Sequence, residues 1–156
     1  MSETATDAGQ ADAEAVSMLL EDQLCFALYA AQRALTNRYR PLLDEFNLTY
    51  PQYLVMLVLW EHGALPIKTL GTLLQLDYGT LTPLLKRLQA NGLIRRERQV
   101  DDERSVQITL TQQGVELRER ARAIPVAMGR AAGFTARDTE EAKSLLERLT
   151  ANVSAR

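Results

Sequence analysis

The chain has 156 residues, 46% of them hydrophobic and 24% charged. At roughly 100–200 residues per domain this is material for one core and one domain. Aromatic residues are scarce at 6%, Gly and Pro number only 8 and 5, and the abundant Leu and Ala favour a helix-rich protein over a sandwich or barrel. One cysteine and one histidine exclude an intrachain disulfide framework and any multi-cysteine zinc or iron–sulfur site. They also argue against a histidine metal site or a histidine-centred triad, so no metal or cofactor is expected. The longest apolar run, Tyr53 to Trp60, is far short of the ~20 residues that span a bilayer. The acidic start Met1-Ser2-Glu3-Thr4-Ala5-Thr6-Asp7 lacks the basic region and apolar stretch of a signal peptide. A soluble, cytoplasmic protein without a membrane partner is expected.

The formal charge of −2 divides unevenly. The first 24 residues hold six acids and no base, so the remainder carries 18 bases against 14 acids. Between Lys86 and Arg98 five bases (Lys86, Arg87, Arg95, Arg96, Arg98) face Glu97 alone. Such a local positive face suits a phosphate backbone, although a solvated surface would show the same charges.

Residues 1–16 are polar, alanine-rich and acidic, and read as a disordered tail. From Ser17 to Phe46 the spacing of Leu20, Leu24, Leu28 and Ala31 predicts a long helix, which Pro41 should kink or end early. Thr49-Tyr50-Pro51 predicts a capped helix start, and the helix to His62 is apolar nearly all round, hence buried. His62 then reads as a helix-end residue beside the terminator Gly63, not as a base or ligand. Two short helices follow. Ile67 to about Gln75 should turn Leu70, Leu73 and Leu74 inward. Tyr78 to Asn91 should bury Leu81, Leu84, Leu85 and Leu88 and expose Thr80, Thr82, Lys86, Arg87 and Gln89. Leu93 to Arg98 and Val106 to Leu110 read as two strands of a hairpin, with Gln99 to Ser105 as its polar turn. Thr111 should cap a helix that Pro125 bends or breaks. A last helix should begin near Asp138, capped by an Asp138…Glu141 pair, with Ala142, Leu145, Leu146, Leu149 and Val153 inward.

A short helix-turn-helix followed at once by a hairpin is the winged-helix arrangement. The fold class expected is mainly α, a winged helix-turn-helix over residues 48–110, with long terminal helices (17–47 and 111–156) forming a dimerisation region. The second helix of the pair can enter a major groove about 12 Å wide. Thr80 and Thr82 would serve as short donors at its N-terminus, where backbone N–H groups also favour phosphate. Lys86 and Arg87 lie a turn later, Arg95, Arg96 and Arg98 flank the groove, and Asp102 can hold Arg104 extended at the wing tip. A homodimer would set two reading helices about one DNA turn apart, matching double-stranded DNA with a pseudo-palindromic operator.

The helical flanks, the segment Leu76-Asp77-Tyr78-Gly79-Thr80-Leu81-Thr82-Pro83-Leu84-Leu85-Lys86-Arg87-Leu88 and the wing Asp102-Glu103-Arg104-Ser105 resemble the MarR family of transcription regulators over residues 17–153. Leu24-Cys25-Phe26-Ala27-Leu28-Tyr29-Ala30-Ala31, followed by Asn37-Arg38-Tyr39-Arg40-Pro41-Leu42-Leu43, is similar to the organic hydroperoxide resistance regulators of that family. Tyr29 lies at i+4 from Cys25, and Tyr39, fourteen residues on, returns to within about 40° of the same helical face. Phenol hydroxyls can donate to a thiolate and favour its charged form, whereas Glu21 and Asp22, at i−4 and i−3, would oppose it if they face the thiol. The resemblance implies that the thiolate attacks an organic hydroperoxide and becomes a sulfenic acid, and that the protein then releases its operator. With one cysteine in the chain, a low-molecular-weight thiol, a backbone sulfenamide or further oxidation would complete the switch. Along one straight helix Cys25 and Tyr39 stand about 21 Å apart, so the expected site takes Cys25 from one protomer and Tyr29 and Tyr39 from its partner. Two other readings compete: a repressor that binds a small aromatic or phenolic ligand with Cys25 inert, and a thiol peroxidase. The second lacks a resolving thiol and a thioredoxin-like sheet pattern, and leaves the DNA-binding elements unexplained.

Overall fold

Helix caps and short turns set the element boundaries in the computed structural model, which describes residues 16–101 and 105–155. The chain divides into two compact units, up to Asn37 and from Arg38 on.

In the first unit a single 3₁₀ turn, Leu20–Asp22, precedes helix α1, Leu24–Asp44. Gln23 holds the turn, its side-chain amide donating to the carbonyls of Ser17 (2.8 Å) and Leu19 (3.0 Å). The helix therefore starts seven residues later than the apolar spacing suggests. Leu20 belongs to the turn and not to the helical stripe.

The second unit receives the end of α1. Pro41 lies inside the helix, which continues to Asp44. It does not end the helix early. Helix α2, Tyr50–His62, starts from a capping box in which Thr49 accepts from the Gln52 N–H and the Gln52 side chain accepts from the Thr49 N–H. Tyr53, Val55, Met56 and Leu59 on α2 are buried. Gly63 ends it with φ +74°, a conformation glycine adopts without strain. Helices α3, Ile67–Leu74, and α4, Tyr78–Ala90, form the helix-turn-helix. Leu70, Leu81, Leu85 and Leu88 are buried and Leu84 is partly so, but Leu73 is 47% exposed. Eight residues of helix offer one narrow inner stripe, and Leu73 falls outside it.

Strands β2, Ile94–Arg98, and β3, Val106–Leu110, pair antiparallel from Ile94↔Leu110 to Arg98↔Val106. A third strand, β1, Leu65–Pro66, adds to the other edge of β3, giving the order β1-β3-β2. Two residues carry no periodicity, so the sequence reading missed it. Thr111 caps α5, Gln112–Ala121, and its hydroxyl also bonds the Gly92 carbonyl at 2.6 Å. Gly114 packs so close to the wing that a Cβ there would clash with the Leu93 carbonyl oxygen. Its own carbonyl accepts the Trp60 indole N–H at 2.9 Å, tying α5 to α2. The break before α6, Ala123–Ala132, falls at Arg122, three residues ahead of Pro125.

Helix α7, Ala136–Ser154, begins at a capping box of Thr135 with Asp138. The expected Asp138…Glu141 pair is thus corrected: Thr135 is the cap and Asp138 is the third helical residue. Nor does α7 turn its leucines inward. No residue of it is buried; Leu145, Leu146 and Val153 are 56%, 43% and 73% exposed, while Ala142 and Leu149 are partly covered.

Candidate functional site

Helix α4, the second of the helix-turn-helix, is positioned by its buried leucines and by its cap. Asp77 Oδ1 accepts the Thr80 N–H at 2.7 Å. That bond, then the Thr80 hydroxyl, lowers the Asp77 pKa against a small opposing desolvation. A carboxylate therefore occupies the helix N-terminus, where the sequence reading placed a phosphate. Thr80 is exposed. Thr82 is half-buried and its hydroxyl donates to the Tyr78 carbonyl at 2.8 Å, so outward it offers an acceptor and not the donor expected. Lys86 is exposed. Arg87 is exposed too, but it lines a hollow of about 280 Å³ with Asp44, Thr49, Gln52 and Asn91. There it also sits in the last turn of α4, a favourable place for a cation against the helix dipole.

An open cleft of about 630 Å³ is lined by Lys68, Thr72 and Gln75 of α3 and its turn, by Tyr78 at the start of α4 and by Ser105. Tyr78 is 63% exposed. The sequence reading gives Lys68, Thr72 and Gln75 no role at the site, because each looks like ordinary helix surface. The left-handed backbone of Gln75 (φ +55°) is not visible in a non-glycine residue.

On the wing, strand alternation separates the arginines. Arg96 and Arg98 share the face of Ile94, whereas Arg95 lies on the opposite face with Glu97, to which its guanidinium pairs at 3.6 Å. Arg95 and Arg96 therefore leave the strand on opposite faces. Asp102 and Arg104 lie outside the described residues.

In the first unit Cys25 is exposed and free. It is the second residue of α1, within the first turn, where backbone N–H groups lack helical acceptors and the positive end of the helix dipole lies. Glu21 and Asp22 belong to the preceding 3₁₀ turn, so the helical i−4 and i−3 relation to the thiol does not hold. Asp22 instead accepts a bond from the Ser17 hydroxyl. Tyr29 follows Cys25 by one helical turn and is 56% exposed. The Arg33 guanidinium lies over its ring, 5.5 Å from the centroid, and donates to its hydroxyl oxygen at 3.3 Å.

Tyr39, in the second unit, has different surroundings. Its ring lies 4.6 Å from that of Tyr50 and 6.0 Å from that of Tyr53, and Tyr53 in turn meets Trp60 edge-on at 6.4 Å. Burial, then the neighbouring Tyr50, raises the Tyr39 pKa. Tyr50 is thus the nearer of the two rings packed on Tyr39, and the sequence reading has it only as part of a helix start. Among the described residues no cluster of three His, Cys, Asp or Glu could hold a metal ion, and no helix is long and apolar enough to cross a membrane.

A family model for the transcriptional regulator SarA/Rot matches residues 37–120. The organic hydroperoxide resistance transcriptional regulator of Bacillus subtilis (strain 168) is 52% identical over 128 residues, 82% of this chain and 85% of that protein. Among solved structures, reduced AbfR bound to DNA shares 36% identity at a TM-score of 0.73, over 87% of this chain and 95% of that one. Disulfide-formed AbfR shares 38% identity at a TM-score of 0.61, over 84% and 92%; the regulator is from Staphylococcus epidermidis. A helix-turn-helix and wing with a basic face, in a chain this close to named transcription regulators and to one solved on DNA, is a DNA-binding regulator. The chain belongs to the MarR family of winged-helix transcription regulators, in its organic hydroperoxide resistance branch.

Proposed function

We propose that this regulator is a homodimeric repressor that senses organic hydroperoxides through Cys25. The observation that carries the reading is the sole cysteine, exposed in the first turn of α1 with Tyr29 one turn on, in a chain so similar to a hydroperoxide resistance regulator. The sulfur, as thiolate, attacks the distal oxygen of the hydroperoxide. An S–O bond forms as the O–O bond breaks, the alkoxide leaves and takes up a proton to become an alcohol, and Cys25 is left as a sulfenic acid. A low-molecular-weight thiol can then condense with it, forming a mixed disulfide and releasing water. The apolar neighbours Leu24, Phe26 and Leu28 favour a greasy hydroperoxide over a small polar one.

Reduced protein would hold a pseudo-palindromic operator through Thr80, Thr82, Lys86 and Arg87 of α4 and through Arg95, Arg96, Asp102 and Arg104 of the wing. Phosphate contacts position the protein, and contacts to base edges carry the specificity. Each sensor site combines Cys25 of one protomer with Tyr29 and Tyr39 of its partner, so that dimerisation is a condition of sensing. Oxidation then respaces the two reading helices and DNA is released.

A DNA shift assay with and without cumene hydroperoxide tests this. Wild type should bind when reduced and release on oxidation, while Cys25→Ser should bind and stay bound. Release that persists in Cys25→Ser would remove this thiol as the sensor.

A further inference from the structure

The buried Leu81, Leu85 and Leu88 fix the inner side of α4. At about 100° per residue, Gly79 and Pro83 fall roughly opposite them, on the outermost line of the helix. Both are exposed, and neither has a hydrogen-bonding side chain. Glycine in a helix is less stable than alanine, yet the fold makes no demand for it at position 79. Its φ is not positive, and among the described residues an added Cβ would meet only Asp77 Oδ1, at an ordinary 3.5 Å. The missing side chain leaves bare backbone facing outward, where another molecule can come close. Beside this bare line, Tyr78, Thr82 and Lys86 recur at four-residue steps and form one row. Thr80 and Arg87 lie about 150° away around the helix. Tyr78 heads the row and lines the open cleft, with 63% of its surface exposed.

We propose that Tyr78 is a specificity-determining residue for DNA: its ring takes the 5-methyl group of a thymine in the major groove, beside the close approach that Gly79 permits. This inference rests on the reading of α4 as the helix that enters the operator. Thymine is the one base that presents a methyl group there, and side chains recognise it by apolar contact. A tyrosine ring supplies such a surface while ordering only two side-chain torsions. Gly79 lets the first turn of α4 settle against the base edges, and any side chain at that position would hold Tyr78 away from its base.

The probe is the duplex that reduced, full-length wild type enriches from a random pool, remade with each thymine in turn replaced by deoxyuridine, which lacks only the methyl. At one thymine of a half-site the replacement should weaken wild type about three- to fivefold, the worth of one buried methyl group. Tyr78→Phe, which keeps the ring, should show the same loss. Tyr78→Ala should bind the thymine and deoxyuridine duplexes equally. Gly79→Ala should melt at the wild-type temperature or above it, yet bind at least about fivefold more weakly, because a methyl group is forced into a close contact. A wild type indifferent to every thymine methyl, a Tyr78→Ala variant that still senses the one, or wild-type affinity in Gly79→Ala would overturn the proposal while leaving α4 as the reading helix. Wild-type affinity in both Lys86→Ala and Thr82→Val would instead remove α4 from the DNA interface and overturn both readings.

Discussion

Tyr39, Tyr50 and Tyr53 lie with ring centroids 4.6 to 6.4 Å apart, and their phenols share one electrostatic fate. Burial, then Tyr39 and Tyr50, pushes the Tyr53 phenol up to about 12, and burial raises Tyr39 and Tyr50 as well. A phenol whose folded pKa exceeds its unfolded value of about 10 contributes stability in full below that value, and the contribution is lost as pH rises through the folded pKa. As far as these phenols govern it, the stability of the protein should therefore be level from neutral pH to about pH 10 and fall between about pH 10 and 12. Tyr53→Phe should flatten that fall, measured as urea midpoints across the pH series. An unchanged slope in the variant would clear Tyr53 of this role. Its position beside Tyr39 was not legible in the sequence, where it is one apolar residue in a run of eight. The Cys25–Tyr29 spacing was legible, because one helical turn is a property of the local chain.

Helix boundaries depend on single polar side chains, and here the sequence was read well at three caps and less well at two. Thr49, Gly63 and Thr111 announce themselves by residue type beside an apolar run. The end of α7 nearest its cap was misread because Thr135 and Asp138 both suit the role, and only the backbone shows that the threonine lies outside the helix. Asp77 falls between the two helices read from the sequence, where it has no assigned role as a cap. Its lowered pKa, caused first by the Thr80 N–H and then by the Thr80 hydroxyl, makes its contribution one that is present above the ordinary carboxylate value and lost as pH falls through the lower folded value. Asp77→Ala should lower the melting temperature at neutral pH. Asp77→Asn should keep most of the stability, since asparagine also caps, while removing this part of the acid dependence. Identical melting curves for Asp77→Ala and wild type at neutral pH would show that the cap does not hold α4. Because α4 is the reading helix, DNA affinity should fall with the same variant.

At the scale of the whole molecule the unexplained surface is apolar. Leu145, Leu146 and Val153 of α7 are exposed, and so are Leu19, Leu20, Leu24 and Phe26 in the first unit. Leaving one leucine in water forgoes about 1.5–3 kcal/mol relative to burying it, and the homodimer proposed above would cover such residues. Leu145→Lys with Leu146→Lys should raise the dimer dissociation constant by at least about a hundredfold, from the two leucines lost on each protomer. Sedimentation should then show monomer at concentrations where wild type is dimeric, and the operator shift should weaken accordingly. An unchanged sedimentation coefficient would place the dimer interface elsewhere.

What the sequence by itself determined was most of what local spacing governs. Those features are the helix-turn-helix from Ile67 to Ala90, the paired strands after it, the caps marked by threonine and glycine, and the lone thiol one turn before a tyrosine. The tertiary structure decided what depends on which surface a neighbour covers. It added β1 to the sheet, because a two-residue strand has no period to read. It exposed Leu73 and the leucines of α7, since an apolar stripe states that a face seeks cover but not what covers it. It set Arg95 and Arg96 on opposite faces of the wing and filled the N-terminus of the reading helix with Asp77. It also began α1 at Leu24, because the amide of Gln23 folds back onto the carbonyls of Ser17 and Leu19 and closes a separate turn, leaving Cys25 in the first turn of the helix.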